Sequence, residues 1–174
     1  MRQKTLWITQ TAALLALLII LQLATRSAGQ LVTGSCVNAV LALAALIAGL
    51  SSSLTVAVLS PFLAFALGVG PKLLPIVPAI AVGNAALVAL ICLFARKGLS
   101  PARRAAATAA AAAGKFALLY LLVVQLLCRV LTLNEKQIAA FSAMFSWPQL
   151  VTALIGAAVA MCVAPVIQKA LGRE

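Results

Sequence analysis

The sequence has almost no acidic residues and no histidine. Its 174 residues include 2 Asp+Glu against 13 Lys+Arg, and His is absent. The two acids, Glu135 and Glu174, both lie outside the long apolar segments. A carboxylate pair, a Ser-His-Asp triad, a relay of buried acids and an oxygen-ligand cation cage therefore all lack their parts. These absences argue against an enzyme, a proton-coupled carrier and a metal-binding protein.

Charged residues of either sign are also scarce. They make up 9% of the chain, whereas 65% is hydrophobic. A soluble domain has about 25% charged residues, and one of this size has too little interior to bury so much apolar surface. The positive charges are spread between apolar runs, which indicates topology-setting loops rather than nucleic-acid binding. The four Cys occur singly and indicate small buried side chains rather than a zinc site or disulfides.

The apolar segments predict an all-α integral membrane protein whose residues 1–174 form a single transmembrane domain. A spanning helix needs about 20 apolar residues. The predicted spans are 6–25, 36–50, 54–67, 74–95, 105–131 and 148–171, with a short amphipathic helix over 134–147. The first run exceeds the about 7–15 residues of a signal-peptide core, so we expect it to stay as a helix. The stretch 36–67 is divided in two because Gly49 and the serines at 51–53 indicate a turn.

Six helices place both termini on the same side of the membrane. Cytoplasmic termini put eight Lys and Arg inside and four outside, with Lys115 within the membrane. A five-helix alternative gives at best seven against five. The positive-inside rule therefore favours six transmembrane helices with both termini cytoplasmic.

Lys115 is the most informative residue of the chain. It lies roughly 15–20 Å from either end of the fifth predicted helix, at 1.5 Å per residue. An ammonium near the bilayer centre costs about 2.5–3.5 kcal/mol, and no acid lies at that depth. Two interpretations are open. Lys115 faces a cavity, an anionic ligand or a partner subunit, or it extends along the Ala-rich turn toward the headgroups.

The spacing of polar residues favours the first interpretation. On a regular helix the 3-4-3-4 spacing places Lys115, Leu118, Leu122, Gln125 and Arg129 on one face. Since three of the five are polar, we expect this face to point into the bundle. It runs from the middle of the membrane to the outer surface, as the wall of an outward-facing pocket would.

Other polar residues are candidate ligand contacts at the same pocket. Asn84 lies within the fourth helix, and Trp147 and Gln149 lie at the outer mouth of the sixth. Gln30 and Asn38 flank the first outer loop. The structural alternatives are an interhelical hydrogen bond for Asn84 and an interfacial belt position for Trp147.

The first helix has a patch of small residues, formed by Thr9, Ala12, Ala13 and Ala16. The spacing Ala12-x-x-x-Ala16 lets another helix approach closely. That helix is either a neighbour within the bundle or part of a partner subunit.

Taken together, these features resemble a known family. They are the six helices with cytoplasmic ends, Ala12-x-x-x-Ala16, Gly83-Asn84 in the fourth helix and Trp147-Pro148-Gln149 before the last. A chain of this size with these features resembles the substrate-binding S component of an energy-coupling factor (ECF) vitamin transporter. The resemblance covers nearly the whole chain. It implies an S-component-like bundle in a bacterial or archaeal cytoplasmic membrane.

The resemblance also implies partners and a site. Ala12 and Ala16 would pack on the transmembrane coupling subunit. Asn84, Lys115, Gln125 and Gln149, with loop residues around Gln30, would form a substrate pocket near the outer face. Two cytoplasmic ATPases would supply the energy. The absence of a GxxxxGK[ST] motif from this chain agrees with the resemblance, which implies no cofactor in this chain and ATP used by the partner subunits.

The predicted function is capture of a vitamin or related micronutrient outside the cell, followed by import driven by partner ATPases. A cationic pocket with Lys115 and Arg129 predicts a substrate that carries a carboxylate or another anion. Nicotinate, pantothenate, folate-like and lipoate-like molecules fit, and the cation thiamine does not. The alternative is a non-transporting membrane scaffold, such as a rod-shape-determining subunit, which has a similar fold and needs no polar pocket.

Overall fold

A computed structural model describes residues 2–95 and 98–172 of the chain. Over these residues it is all-α, with six helices long and apolar enough to cross a membrane. The long helices are α1 (Arg2–Thr25), α2 (Gln30–Ile47), α3 (Gly49–Ala66), α4 (Ile76–Phe94), α5 (Pro101–Val130) and α7 (Trp147–Ala170), and the short helix α6 is Glu135–Met144. The prediction of a six-helix, multi-pass membrane protein is confirmed at this level.

The predicted division between the second and third helices is confirmed, but both helices are longer than expected. Each has 18 residues, or about 27 Å at 1.5 Å per residue. Ala48 alone separates them. The chain reverses there because Gly49 adopts a φ of +80°, which a glycine does without steric cost.

Two segments predicted to lie outside helices are helical instead. They are the serines at 51–53, which the sequence pattern assigns to the turn with Gly49, and residues 30–35, which it assigns to the loop between the first two helices. One serine in each segment satisfies its hydroxyl on its own helix. Ser35 donates to the carbonyl of Leu31 at 2.7 Å, and Ser53 donates to that of Gly49 at 2.8 Å. Serine is therefore compatible with a membrane helix although it is frequent in turns.

α5 changes its winding near its middle. It is α-helical over Pro101–Leu119, π-helical over Tyr120–Leu127 and α-helical again over Cys128–Val130. A π-helical turn holds more residues than the 3.6 of an α-helix. The buried positions accordingly change from a spacing of four to a spacing of five, and they are Lys115, Leu119, Val123 and Cys128.

The six long helices pack in a ring in the order α1, α3, α4, α5, α7 and α2, and α2 and α4 also contact each other. α1 and α3 pack together on one side, and α5 and α7 pack together on the other, where α7 runs along α2. We call the end of the bundle where α1 begins and α7 ends the lower end, and the opposite end the upper end. The larger apolar core fills the lower half, with Leu18, Leu41 and Ile91 almost fully buried. The smaller core joins α4, α5 and α6 near the upper end.

α6 is amphipathic, as its sequence predicts. Phe141 is buried and packs in the upper core with Phe145, whereas Glu135 is exposed. Asn134 caps the helix by accepting from the backbone N–H of Gln137, whose side chain accepts from the backbone of Asn134 in return. This capped helix lies over the upper end of the bundle and helps to fix where α7 begins.

The close approach of α2 and α7 depends on Gly156. A Cβ at this position would lie 2.6 Å from the Cβ of Asn38 and 2.6 Å from the backbone nitrogen of Ala39. We expect Gly156→Ala to lower the melting temperature by about 2–10 °C, because overpacking costs about 1–3 kcal/mol. Circular dichroism during heating in mild detergent measures this. Ala158→Leu, at an exposed position of α7, is the control. Equal melting temperatures for Gly156→Ala and the original chain would contradict the packing argument.

Candidate ligand-binding cavity

Lys115 lies inside the bundle and contacts two asparagines. Its side chain is 3% exposed. The ammonium donates to Oδ1 of Asn38 at 2.5 Å and to Oδ1 of Asn84 at 2.7 Å. The three residues come from α5, α2 and α4, and we call them the lysine triad. The alternative that Lys115 extends to the headgroups is wrong, because its charged end lies between two buried amides.

A chain of hydrogen bonds holds the triad in place. Nδ2 of Asn38 donates to Oγ1 of Thr152 at 3.2 Å, and the Thr152 hydroxyl donates to the carbonyl of Gln149 at 3.2 Å. Asn38, Asn84 and Thr152 are each 1–2% exposed. Because its amide nitrogen is engaged by Thr152, Asn38 keeps its oxygen turned toward Lys115. These hydrogen bonds therefore connect α5 through α2 to α7 and preorganise the site.

No described acid neutralises this ammonium. Glu135 is exposed on α6, and Glu174 lies outside the described residues. The two amide oxygens engage two of the three ammonium protons, which leaves one donor for another partner. A buried cation with only neutral partners is costly, and an anion bound beside it would lower that cost.

The lysine triad lines a cavity of about 490 Å³. The cavity reaches the upper end, where its lining includes residues 68–71, Arg26, Ser27, Gly29, Met144, Phe145 and Gln149. Its volume is within the roughly 300–1,000 Å³ range of small-molecule sites. Much of the remaining lining is apolar and includes Val37, Phe65, Val77, Ile80, Leu119 and Phe145. An apolar cavity with a few convergent polar groups is typical of a ligand site.

Several of the predicted binding residues meet at this cavity. Those that line it are Lys115, Asn84, Asn38, Gln30 and Gln149. Gln30 and Gln149 both donate to the carbonyl of Met144, at 2.6 Å and 3.3 Å. They thereby tie the upper ends of α2 and α7 to the end of α6. Contact of these residues with a ligand stays a prediction.

Gln125, Arg129 and Trp147 are not among the residues that line the cavity. Gln125 donates to the hydroxyl of Tyr120 at 3.0 Å and accepts from Arg129, which is exposed, at 2.6 Å. The predicted inward face is wrong here because the π-helical turn rotates both residues away from Lys115. Trp147 is 62% exposed at the start of α7, a position typical of an interfacial belt residue.

The lining also includes Gln22, Ser60 and Arg26, which sequence reasoning did not select. Gln22 is 8% and Ser60 1% exposed, whereas Arg26 is exposed at the upper end. Gln22 carried a usable signal, because it is a polar residue within the long apolar run of α1. Ser60 carried little, since a helical serine usually bonds to its own helix.

The small-residue patch of α1 faces away from the bundle. Thr9, Ala12, Ala13 and Ala16 are all exposed. The inward face of α1 consists instead of Thr11, Leu14, Leu18 and Gln22. The alternative that the patch packs inside the bundle is therefore wrong, and its role as a partner contact stays a prediction.

A second cavity, of about 550 Å³, lies at the lower end. Its lining is mainly apolar, with Arg104 as its charged residue. The described residues contain no group of three or more His, Cys, Asp or Glu that could hold a metal ion. The buried side chains of Lys115, Asn38 and Asn84 line the upper cavity and not this one.

Comparison with family models, with curated proteins and with solved structures yields no match. The function is therefore argued from the chemistry of the cavity and from the surface of the bundle.

Proposed function

We propose that the chain is the substrate-capture subunit of an ECF-type, ATP-driven importer of an anionic vitamin or related micronutrient. The observation that carries this proposal is the ammonium of Lys115, which is buried in the wall of the cavity and has no described acidic side chain as a partner. A carboxylate that enters from the upper end would accept from the free donor of Lys115. The apolar lining would enclose the rest of a small molecule.

The distribution of charge supports an outward-facing cavity. Counted by sequence, the segments assigned to the lower end hold eight Lys and Arg, and those assigned to the upper end hold four. Arg103 and Arg104, in the first turn of α5, are two of the eight. With the lower end in the cytoplasm, as the positive-inside rule favours, the cavity opens outside the cell. That is the side from which a capture subunit has to load its substrate.

The exposed small residues on the outer surface of α1 are evidence for a partner subunit. Ala12 and Ala16 are exposed one turn apart, and small residues at this spacing permit close helix–helix approach in a membrane. A transmembrane coupling subunit is the proposed occupant. Two cytoplasmic ATPases bound to that subunit would supply the energy, and this chain has no nucleotide-binding motif.

The test is to purify the full chain from cells in mild detergent, without overproducing partners, and to record native mass spectra. We expect two ATPases and a coupling subunit in the complex, together with one small anion released on activation. Recovery of the chain with cell-wall synthesis proteins and no small molecule would contradict the proposal. That result would favour the membrane scaffold, which has no use for a buried cation.

A further inference from the structure

Two polar side chains in the cavity wall formed by α1 and α3 have buried atoms without a hydrogen-bond partner. They are Oε1 of Gln22 and Oγ of Ser60. Both residues are more than nine-tenths buried and both line the cavity. A native structure seldom leaves a buried polar atom unpaired without a reason. A ligand in the cavity that forms hydrogen bonds with these two atoms would be such a reason.

Ser60 differs from most helical serines and threonines of this chain. Ser35, Ser53 and Thr108 each donate to a carbonyl four residues earlier in their own helix. Ser60 makes no such bond. Ser52 of the same helix is also buried and unpaired, but it does not line the cavity. Ser52 is therefore a matched reference for Ser60.

Gln22 and Ser60 lie on a different wall of the cavity from Lys115. α1 and α3 pack on each other, whereas α5, which carries Lys115, packs on α4 and α7. Apolar residues of the lining, among them Phe65 and Ile80, belong to the same cavity. The cavity thus offers a cationic group on one wall and two neutral polar groups on another.

We propose that Gln22 and Ser60 form a second polar subsite, which binds a hydroxyl or amide group of the substrate while Lys115 binds its carboxylate. This inference rests on the proposed function and deepens it. A carboxamide and a hydroxyl can each donate and accept, and so can the hydroxyl or amide of a ligand. A hydrocarbon end would leave both side chains unpaired. A second carboxylate on the ligand would place one acceptor, its oxygen, against another, Oε1 of Gln22.

The substrate class is therefore a small carboxylate that carries hydroxyl or amide groups away from its acid. Pantothenate has a carboxylate, an amide and hydroxyls, and it serves as the matching probe. Lipoate has a carboxylate on an apolar chain with no N–H or O–H at its far end, and it serves as the contrasting probe. Their relative affinity reports on the subsite, because both bring the same carboxylate to Lys115.

The experiment is isothermal titration calorimetry of both probes with the full chain in mild detergent. We expect pantothenate to bind at least about tenfold more tightly than lipoate, because its polar end pairs groups that lipoate leaves unpaired. The double variant Gln22→Leu/Ser60→Ala should lose this preference, whereas Ser52→Ala should keep it. Each single variant is measured as well, so that a folding defect of the double variant does not decide the result.

Equal affinity of the two probes for the original chain would overturn the subsite, and so would a preference that survives the double variant. In both cases carboxylate binding persists and the proposed function stands. Binding of neither probe would also overturn the subsite. The recovery of ATPases with the chain then tests the importer separately.

Discussion

Replacing Lys115 by Met is expected to weaken the binding of a carboxylate ligand by about 30-fold to several thousand-fold. Lys115 is the charged side chain buried in the cavity wall. Losing one partner of a buried, hydrogen-bonded charge pair costs about 2–5 kcal/mol, and each 1.4 kcal/mol is about tenfold in affinity. The affinity of the purified chain for the anion that it carries from cells, measured by calorimetry, is the readout.

The fold should tolerate this substitution. Met is apolar and close to Lys in length, and it removes an uncompensated buried charge. It also leaves Oδ1 of Asn38 and Oδ1 of Asn84 without their donor, so the two effects oppose each other. Lys136→Met, at an exposed position of α6, removes the same charge outside the cavity and should leave affinity unchanged. Unchanged affinity in Lys115→Met would remove the argument for an anionic substrate.

The double substitution Ala12→Trp/Ala16→Trp is expected to abolish recovery of the coupling subunit and the ATPases with the chain. Two indole rings on the outer surface of α1 would keep a partner helix away from the backbone, where small residues allow it to approach. Ligand affinity should stay within about twofold, since these residues are exposed and do not line the cavity. Affinity purification followed by native mass spectrometry measures both quantities in one preparation.

Val159→Trp is the matched control for this surface. Val159 is 46% exposed near the middle of α7, so an added indole there changes the lipid-facing surface and leaves α1 unaltered. The complex should survive this change. Retention of the partners by the double variant would contradict the docking surface, and so would their equal loss in Val159→Trp.

The number of membrane helices followed from the sequence because a bilayer leaves a spanning backbone few alternatives to the helix. The ends of the helices were predicted less accurately than their number. The polar start of α2 is typical of a loop in composition, but Gln30 donates to Met144 and Ser35 bonds to its own helix. These contacts depend on the position of α6 and on helix geometry, which composition does not report.

The centre of the site was predictable because polar groups at membrane depth are expensive and have to be paired. Lys115, Asn38 and Asn84 were all selected on that ground or by position. The inward placement of Gln125 and Arg129 was wrong because it assumed 3.6 residues per turn through a segment that is π-helical. Gln22 was predictable on the same ground, as a polar residue in the apolar run of α1. Ser60 was not, because a helical serine usually bonds to its own helix and only the structure shows that Ser60 does not.

The most direct test of the importer is uptake into proteoliposomes that contain the chain with the partners recovered from cells. The probe is the small anion that the purified chain releases on denaturation, supplied outside in labelled form. The account predicts that it accumulates inside when the ATPases can hydrolyse ATP and not when ADP replaces ATP, and that Lys115→Met reduces the accumulation. Equal accumulation with ATP and ADP, or no accumulation by a complex that binds the anion, would contradict the account.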